Sequence, residues 1–277
     1  MSSQWAPHEN GVRKRLRLIV GVFTALLWVD NLTEHYRGSF RRRLMWVPVI
    51  ANPVVAFVAL ASASSSAGRW RRLFLAASAA QVVVSIVGFV EHLRGIRRRP
   101  GRGRHGFLFN AWYGPPLFAP LQYLGFGLLG LLATLPHRTL APLLRVLSLQ
   151  RLLRLFTALN VPPLWAEIAY FHARGAYQDP FQWVPVVTLP AVAAASGTAV
   201  VSDGAGAARA HRVGTKAVLG LGVIGTGFHM VGLARRHHGL DRRALLFNWL
   251  SGPPVPAPVQ LIGLALAALA AEKQREA

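Results

Sequence analysis

Residues 46–65 run for twenty positions without a charged side chain, and comparable stretches recur along the whole 277-residue chain. About 20 apolar residues in a row are what a helix needs to cross the hydrocarbon core of a bilayer. Inside lipid the backbone must satisfy its own hydrogen bonds, so a chain with many such runs folds as a helical bundle or a closed barrel. The runs here are rich in Ala, Leu and Val and lack polar alternation, which predicts helices. The expected class is an all-α integral membrane protein of about eight spans: 17–34, 46–65, 72–92, 115–135, 151–171, 182–201, 213–233 and 253–271. Only 15% of the residues are charged, against about 25% in soluble domains. The first run follows Arg13, Lys14, Arg15 and Arg17 without a small-residue cleavage site after it, so it reads as a retained helix.

The second constraint is an internal repeat. At an offset of 137, Trp28, His35, Arg37, Gly38, Trp46, Pro48 and Pro53 fall on Trp165, His172, Arg174, Gly175, Trp183, Pro185 and Pro190, and Asp30 falls on Glu167. At an offset of 138, Arg97, Arg98, Phe109, Asn110, Gly114, Pro115, Pro116, Pro120, Gln122 and Gly125 fall on Arg235, Arg236, Phe247, Asn248, Gly252, Pro253, Pro254, Pro258, Gln260 and Gly263. Glu91 then falls on His229, and His92 on Met230. Rare residue types matching over such a length predict a tandem duplication, 1–137 and 138–277. Each copy holds an even number of crossings, so the copies point the same way and matching motifs share one membrane face. The linker 137–150 is expected to lie along the interface.

The ionisable residues gather at the ends of the first, third, fifth and seventh spans. There stand Asp30, Glu34 and His35, then Glu91 and His92, then Glu167 and His172, then His229. Acids inside a membrane helix are costly and need partners. Arg37 and Arg174 are the expected partners in their own copies. The functional reading is one polar pocket shared by these four helices. In it Asp30, Glu34, Glu91 and Glu167 would act as catalytic acids or bases, and Arg37, Arg174, Asn110 and Asn248 would bind. His35, His92, His172 and His229 are candidate ligands for a transition metal such as iron, zinc or manganese, with haem as a second cofactor reading. A symmetric metal site in each half faces an objection: Asp30 and His35 are five apart, about 140° round a helix. The Gly-Pro-Pro segments are expected in first helical turns, Pro120 and Pro258 as bends about a turn deeper, and Gln122 and Gln260 as links between helices.

The net charge of +21 points to anionic lipid headgroups rather than nucleic acid, because the arginines sit at the ends of apolar runs. The chain has no cysteine, which excludes disulfides and thiolate chemistry. Arginine and lysine divide almost evenly between the two faces, so the positive-inside rule decides little. The expected location is a bacterial cytoplasmic membrane with both termini on the cytoplasmic side. Three functions fit: a membrane enzyme, metal-assisted or not, acting on a lipid or quinone-like substrate; a transporter of an anionic solute; and a non-catalytic accessory subunit.

Overall fold

A computed structural model describes residues 5–101, 103–236 and 241–272. The described residues are all helical, with no strand. In chain order the helices are α1 (Pro7–Arg37), α2 (Trp46–Ser64), α3 (Gly68–Arg97), α4 (Gly103–Tyr113), α5 (Ala119–Thr134), α6 (His137–Leu144), α7 (Leu149–Arg174), α8 (Trp183–Val201), α9 (Ala205–Arg236), α10 (Arg242–Ser251) and α11 (Pro256–Leu269). Short 3-10 turns at Arg43–Met45 and Pro180–Gln182 lead into α2 and α8.

Among the described residues five helices are long and apolar enough to cross a membrane: α1, α2 with its 3-10 turn, α3, α8 with its 3-10 turn, and α9. Two sharply bent pairs, α5 with α6 at 109° and α10 with α11 at 65°, raise the number to seven. Large apolar side chains such as Phe57, Val83, Val187 and Ile224 stand exposed on the outer helices. An exposed apolar surface of that extent is foreign to a water-soluble monomer and suited to a bilayer.

The helices pack in sequence order. α1, α2, α3 and α5 close one four-helix ring, and α7, α8, α9 and α11 close another. Contacts of α1 with α11 and of α5 with α7 join the two rings. The seam of the molecule is therefore lined by α1, α5, α7 and α11, while α2, α3, α8 and α9 stand outside. This corrects the expectation that the first, third, fifth and seventh spans share a pocket. Consecutive antiparallel helices pack as neighbours, so in a ring of four the first and third stand diagonally apart.

Small residues allow the close approaches at the seam. A side chain on Gly263 of α11 would stand 2.6 Å from the Phe23 ring of α1, and one on Gly125 of α5 would collide with Asn160 of α7. Phe23 and Asn160 are themselves 137 apart.

The joints after α1 and α7 are built alike. Trp28 Nε1 donates to Val49 O, and Trp165 Nε1 to Val186 O, both at 2.8 Å. Phe40 stacks on Trp46, and Tyr177 on Trp183, both with centroids 4.0 Å apart. In each joint two successive non-glycine residues take positive φ: Ser39 and Phe40, then Ala176 and Tyr177. The left-handed region costs an ordinary residue roughly 1–2 kcal/mol. The stack and the hydrogen bonds of the joint hold it there. Ala176→Gly is accordingly expected to raise stability by up to about 1 kcal/mol, read as a higher thermal unfolding midpoint in detergent.

The proline segments differ from expectation. Both Gly-Pro-Pro segments lie outside helices, in the breaks between α4 and α5 and between α10 and α11. Pro120 and Pro258 fall in the first turns of α5 and α11, so they start these helices rather than bend them. Their rings fill notches in the neighbouring helix: a Cβ on Gly88 would stand 3.3 Å from Pro120, and one on Gly225 3.1 Å from Pro258. Pro115 meets Gly95, and Pro253 meets Gly232, in the same way. These pairs keep α3 and α9 in step at 137, with His92 on His229. The extra residue enters after those helices, so pairing Glu91 with His229 is one position off.

A candidate acid site at the helix seam

Asp30 stands near the end of α1 and Glu167 near the end of α7. They stand on opposite sides of the seam, and the charge of Asp30 reaches Glu167. Glu167 is 9% exposed, and its Oε2 accepts a hydrogen bond of 2.9 Å from Gln122 Nε2 on α5. The next residue of α5, Tyr123, donates its hydroxyl to Leu27 O at 2.5 Å and lies within the fields of both acids. Gln260 of α11 is also buried. The four seam helices thus supply two acids, two amides and a phenol. Gln122 is an interhelix link, as expected of an amide at that depth.

The expected arginine partners are elsewhere. Arg37 pairs with Glu34 on its own helix. It also crosses the seam, donating to Leu250 O at 2.7 Å, Trp249 O at 3.0 Å and Gly252 O at 3.2 Å. Those are the free carbonyls at the end of α10, where a cation is favoured. Trp249 Nε1 returns a bond of 2.9 Å to Thr33 Oγ1. On the other side the latch is made by Tyr170, the residue 137 beyond Thr33, whose hydroxyl bonds to Trp112 O and Ala111 O at the end of α4. Arg174 supports it, bonding to the Tyr170 hydroxyl at 3.2 Å and lying over the rings of Tyr170 and Tyr113. Each half therefore grips the short helix of the other. Both arginines hold the walls of the site, and neither forms an ion pair with Asp30 or Glu167, although the charge of Arg37 reaches Asp30. Arg37→Ala should cost about 1–2 kcal/mol, since three carbonyls lose a charged donor at a partly exposed place. Amide hydrogen exchange in 242–251 should speed up while exchange in α8 stays as it was.

Glu91 is not part of the seam. It binds Arg94 at 2.6 Å and Arg42 at 3.4 Å, tying α3 to the joint before α2. Asn110 donates to Arg99 O at 3.2 Å and Pro100 O at 3.0 Å, bracing the loop before α4. Asn248 is buried at the matching place on α10.

The four histidines also have structural work. His35 Nδ1 pairs with Met45 O at 2.6 Å and His172 Nδ1 with Gln182 O at 2.9 Å. His92 Nδ1 pairs with Pro116 O at 2.5 Å and His229 Nδ1 with Pro254 O at 2.7 Å. Each imidazole closes a joint between helices. Packing adds to this, with Phe40 edge-on to His35 and Tyr177 edge-on to His172. His35 and His92 are electrostatic neighbours, as are His172 and His229. Among the described residues no three of His, Asp and Glu converge as a metal ion would require. The hydrogen bonds account for the imidazoles as bolts between helices.

A second buried polar cluster is not foreshadowed by the spacing of polar residues in the sequence. Arg154 of α7 binds Glu272 at 2.8 Å with both side chains almost fully buried. His211 and Arg212 of α9 stand 3.9 and 3.7 Å from the same carboxylate. His211 also pairs with Ser196 of α8 at 2.9 Å. About 20 Å of helix separates Arg154 from Glu167, so this cluster lies near the opposite face.

Scanned against protein-family models, the chain matches none, and searches of curated proteins and of solved structures return no match. The functional argument rests on the site alone.

Proposed function

We propose that the chain is an eight-span membrane protein built as a like-oriented tandem duplication, 1–137 and 138–277. On this reading Asp30 and Glu167 form the acid–base centre of a membrane enzyme acting on a lipid or quinone-like substrate. The eighth span is α7, whose 26 residues give about 39 Å of helix. Its arginines, Asn160 and proline pair dilute its apolar character, but it runs unbroken between the rings. The matched joints, latches and glycine notches support the duplication, because their contacts recur at 137 or 138 positions. The bilayer and its anionic headgroups are the expected partners, with both termini on the cytoplasmic side.

The observation that carries the functional reading is a buried Glu167 that faces the charge of Asp30 across the seam and is held by Gln122 rather than by an arginine. Two carboxylates at close range repel unless a proton or a cation lies between them. A group that must take up and release a proton is what general acid–base catalysis uses. Gln122 holds Glu167 and Tyr123 fastens α5 to the α1 backbone beside it, while the half-buried Asp30 and Glu34 lie towards the arginine-rich face. A headgroup or quinone ring carrying hydrogen-bonding oxygens could reach it from the bilayer. To test this, membranes containing the wild type, Asp30→Asn or Glu167→Gln would be compared by mass spectrometry of their lipid and quinone fractions. The expected result is a species whose abundance changes with the wild type and with neither variant. Identical profiles for all three would contradict the proposal.

A second reading is movement of a proton or small cation. It is favoured by Thr24, Asn52 and Gln81, which are 0%, 0% and 1% exposed and continue the polar interior from Tyr123 into the first ring. At 137 positions on, the second ring has Val161, Leu189 and Val218, part of a packed apolar core. Proton flux into dye-loaded proteoliposomes, lost in Asp30→Asn, would favour this reading over catalysis. An acid pair suits such a cargo better than an anionic solute.

A further inference from the structure

Near the opposite face, the start of α1 and α3 and the end of α5 enclose a cavity of about 450 Å³ lined by Asn10, Gly11, Arg13, Lys14, Arg17, Arg71 and Thr134. Four of these seven side chains are cations and none is an acid. Among the described residues none of the four has a carboxylate at salt-bridge distance. Arg13 and Arg17 each feel the charge of Arg71, so the groups oppose one another. Arg13 is only 6% exposed. It holds Leu135 O at 2.5 Å and lies over the Trp5 ring, while Arg17 holds Ala133 O at 3.1 Å. The Nε atoms of both arginines are buried without a hydrogen-bond partner. Glu9 is the one acid whose field reaches Arg13, and its carboxylate accepts the Ala6 N–H at the start of α1. Buried cations held together without counter-charge are costly, and anions are what offset that cost.

The second half answers the same problem internally. At 137 from Lys14 and Arg17 stand Arg151 and Arg154, which pair with Asp203 and Glu272. At the corresponding offsets the first half has Ser66 for Asp203 and Thr134 for Glu272. It also has Arg13 and Arg71 where the second half has Gln150 and Ala208. At the matching positions the first half thus lacks the two acids of the second and carries two arginines that the second does not, both of which line the cavity. This comparison rests on the duplication proposed above, whereas the cavity and its charges do not.

We propose that this cavity binds a phosphate-type anion, which supplies from outside the chain the negative charge that Glu272 supplies in the second half. Guanidinium groups bind phosphate through short, charge-assisted hydrogen bonds, and Lys14 adds a point charge at the rim. The phosphate can come from a phospholipid headgroup in the adjoining leaflet or from free phosphate. The site is separate from the acid pair, about 20 Å away along α1, so its failure and that of the acid–base reading are told apart.

The test uses the full chain, purified in detergent and stripped of lipid. Native mass spectrometry would follow binding of phosphatidylglycerol and of diacylglycerol, which lacks the phosphate. Thermal unfolding would follow the response to inorganic phosphate. The expected result is one tightly held phosphatidylglycerol per chain, or a rise in the unfolding midpoint with phosphate, and no comparable retention of diacylglycerol. Phosphatidylglycerol binding alone identifies a headgroup site, and a response to both probes identifies a site that also takes free phosphate. Thr134→Glu installs the carboxylate that the second half has. It should weaken binding about tenfold or more without lowering the unfolding midpoint of the stripped protein. Lys14→Gln with Arg71→Gln, both exposed positions, should weaken binding to a similar extent and decides the matter if Thr134→Glu does not fold. Absence of binding by both phosphate probes, equal retention of diacylglycerol, or wild-type affinity in a folded variant would overturn the proposal.

Discussion

Glu272→Ala is expected to destabilise the protein by about 3–5 kcal/mol. Glu272 is the hub of a buried cluster: its Oε1 binds Arg154 Nε at 2.8 Å, and Arg212 approaches its Oε2. Both partners of the main pair are under 6% exposed. Removing the acid leaves the Arg154 guanidinium buried, with Ala199 O at 3.0 Å as its other partner. A buried charge without its partner is far more costly than the intact pair is favourable. The turn after α11 that carries Glu272 would also lose its hold on α7 and α9. Unfolding in a graded denaturing detergent reads the effect. The double change Arg154→Met with Glu272→Leu should recover most of the loss, because a packed apolar pair replaces the ion pair. A loss below about 1 kcal/mol for the single change would mean that water reaches the cluster.

Gly263→Leu is expected to push the two halves apart. The added Cβ alone would stand 2.6 Å from the Phe23 ring, and a leucine adds three further carbons. Phe23 is 6% exposed within the core, so it has little room to move, and the strain passes to the α1–α11 contact. Overpacking of a tight core costs about 1–3 kcal/mol. Gly125→Leu should act alike at the α5–α7 contact, against Asn160 and Phe156. Both substitutions widen the gap between Asp30 and Glu167, so any activity that depends on the pair should fall with stability. Gly227→Leu is the control, since nothing stands within 4 Å of a Cβ there. It should leave both stability and activity near wild type.

The helices and their joints were legible because apolar run length and rare-residue spacing are local signals. Five of the eight runs proposed as spans are, among the described residues, helices long and apolar enough to cross a membrane, up to seven with the bent pairs, and the glutamine expected to link helices does so. The arrangement of the helices was less legible. Periodicity says that a face is apolar, not which neighbour covers it, and the ends of alternate helices looked like one cluster because they share a membrane face. Packing of consecutive helices instead brought α1, α5, α7 and α11 together. That left Glu91 outside with Arg42 and Arg94, and gave Arg37 and Arg174 to the latches. The four histidines carried a ligand-like signal, but a repeated histidine at a helix end also serves to close a joint on a backbone carbonyl, and spacing does not separate the two. The Arg154–Glu272 cluster joins residues 118 positions apart, a separation that no local pattern encodes. Its trace in the sequence was the replacement of Thr134 by Glu272 between otherwise matching segments.

The account turns on Asp30 and Glu167 meeting across the seam at one depth. The native chain has no cysteine, so Asp30→Cys with Glu167→Cys introduces the only two thiols. A short bifunctional thiol reagent, added to intact membranes and followed by peptide mass spectrometry, should join the segment around position 30 to that around 167 in high yield. The pair Arg17→Cys with Glu167→Cys, about 20 Å apart along the helix axis, should not be joined. Failure of 30 and 167 to join, with both thiols reactive to a single-ended reagent, would contradict the shared site.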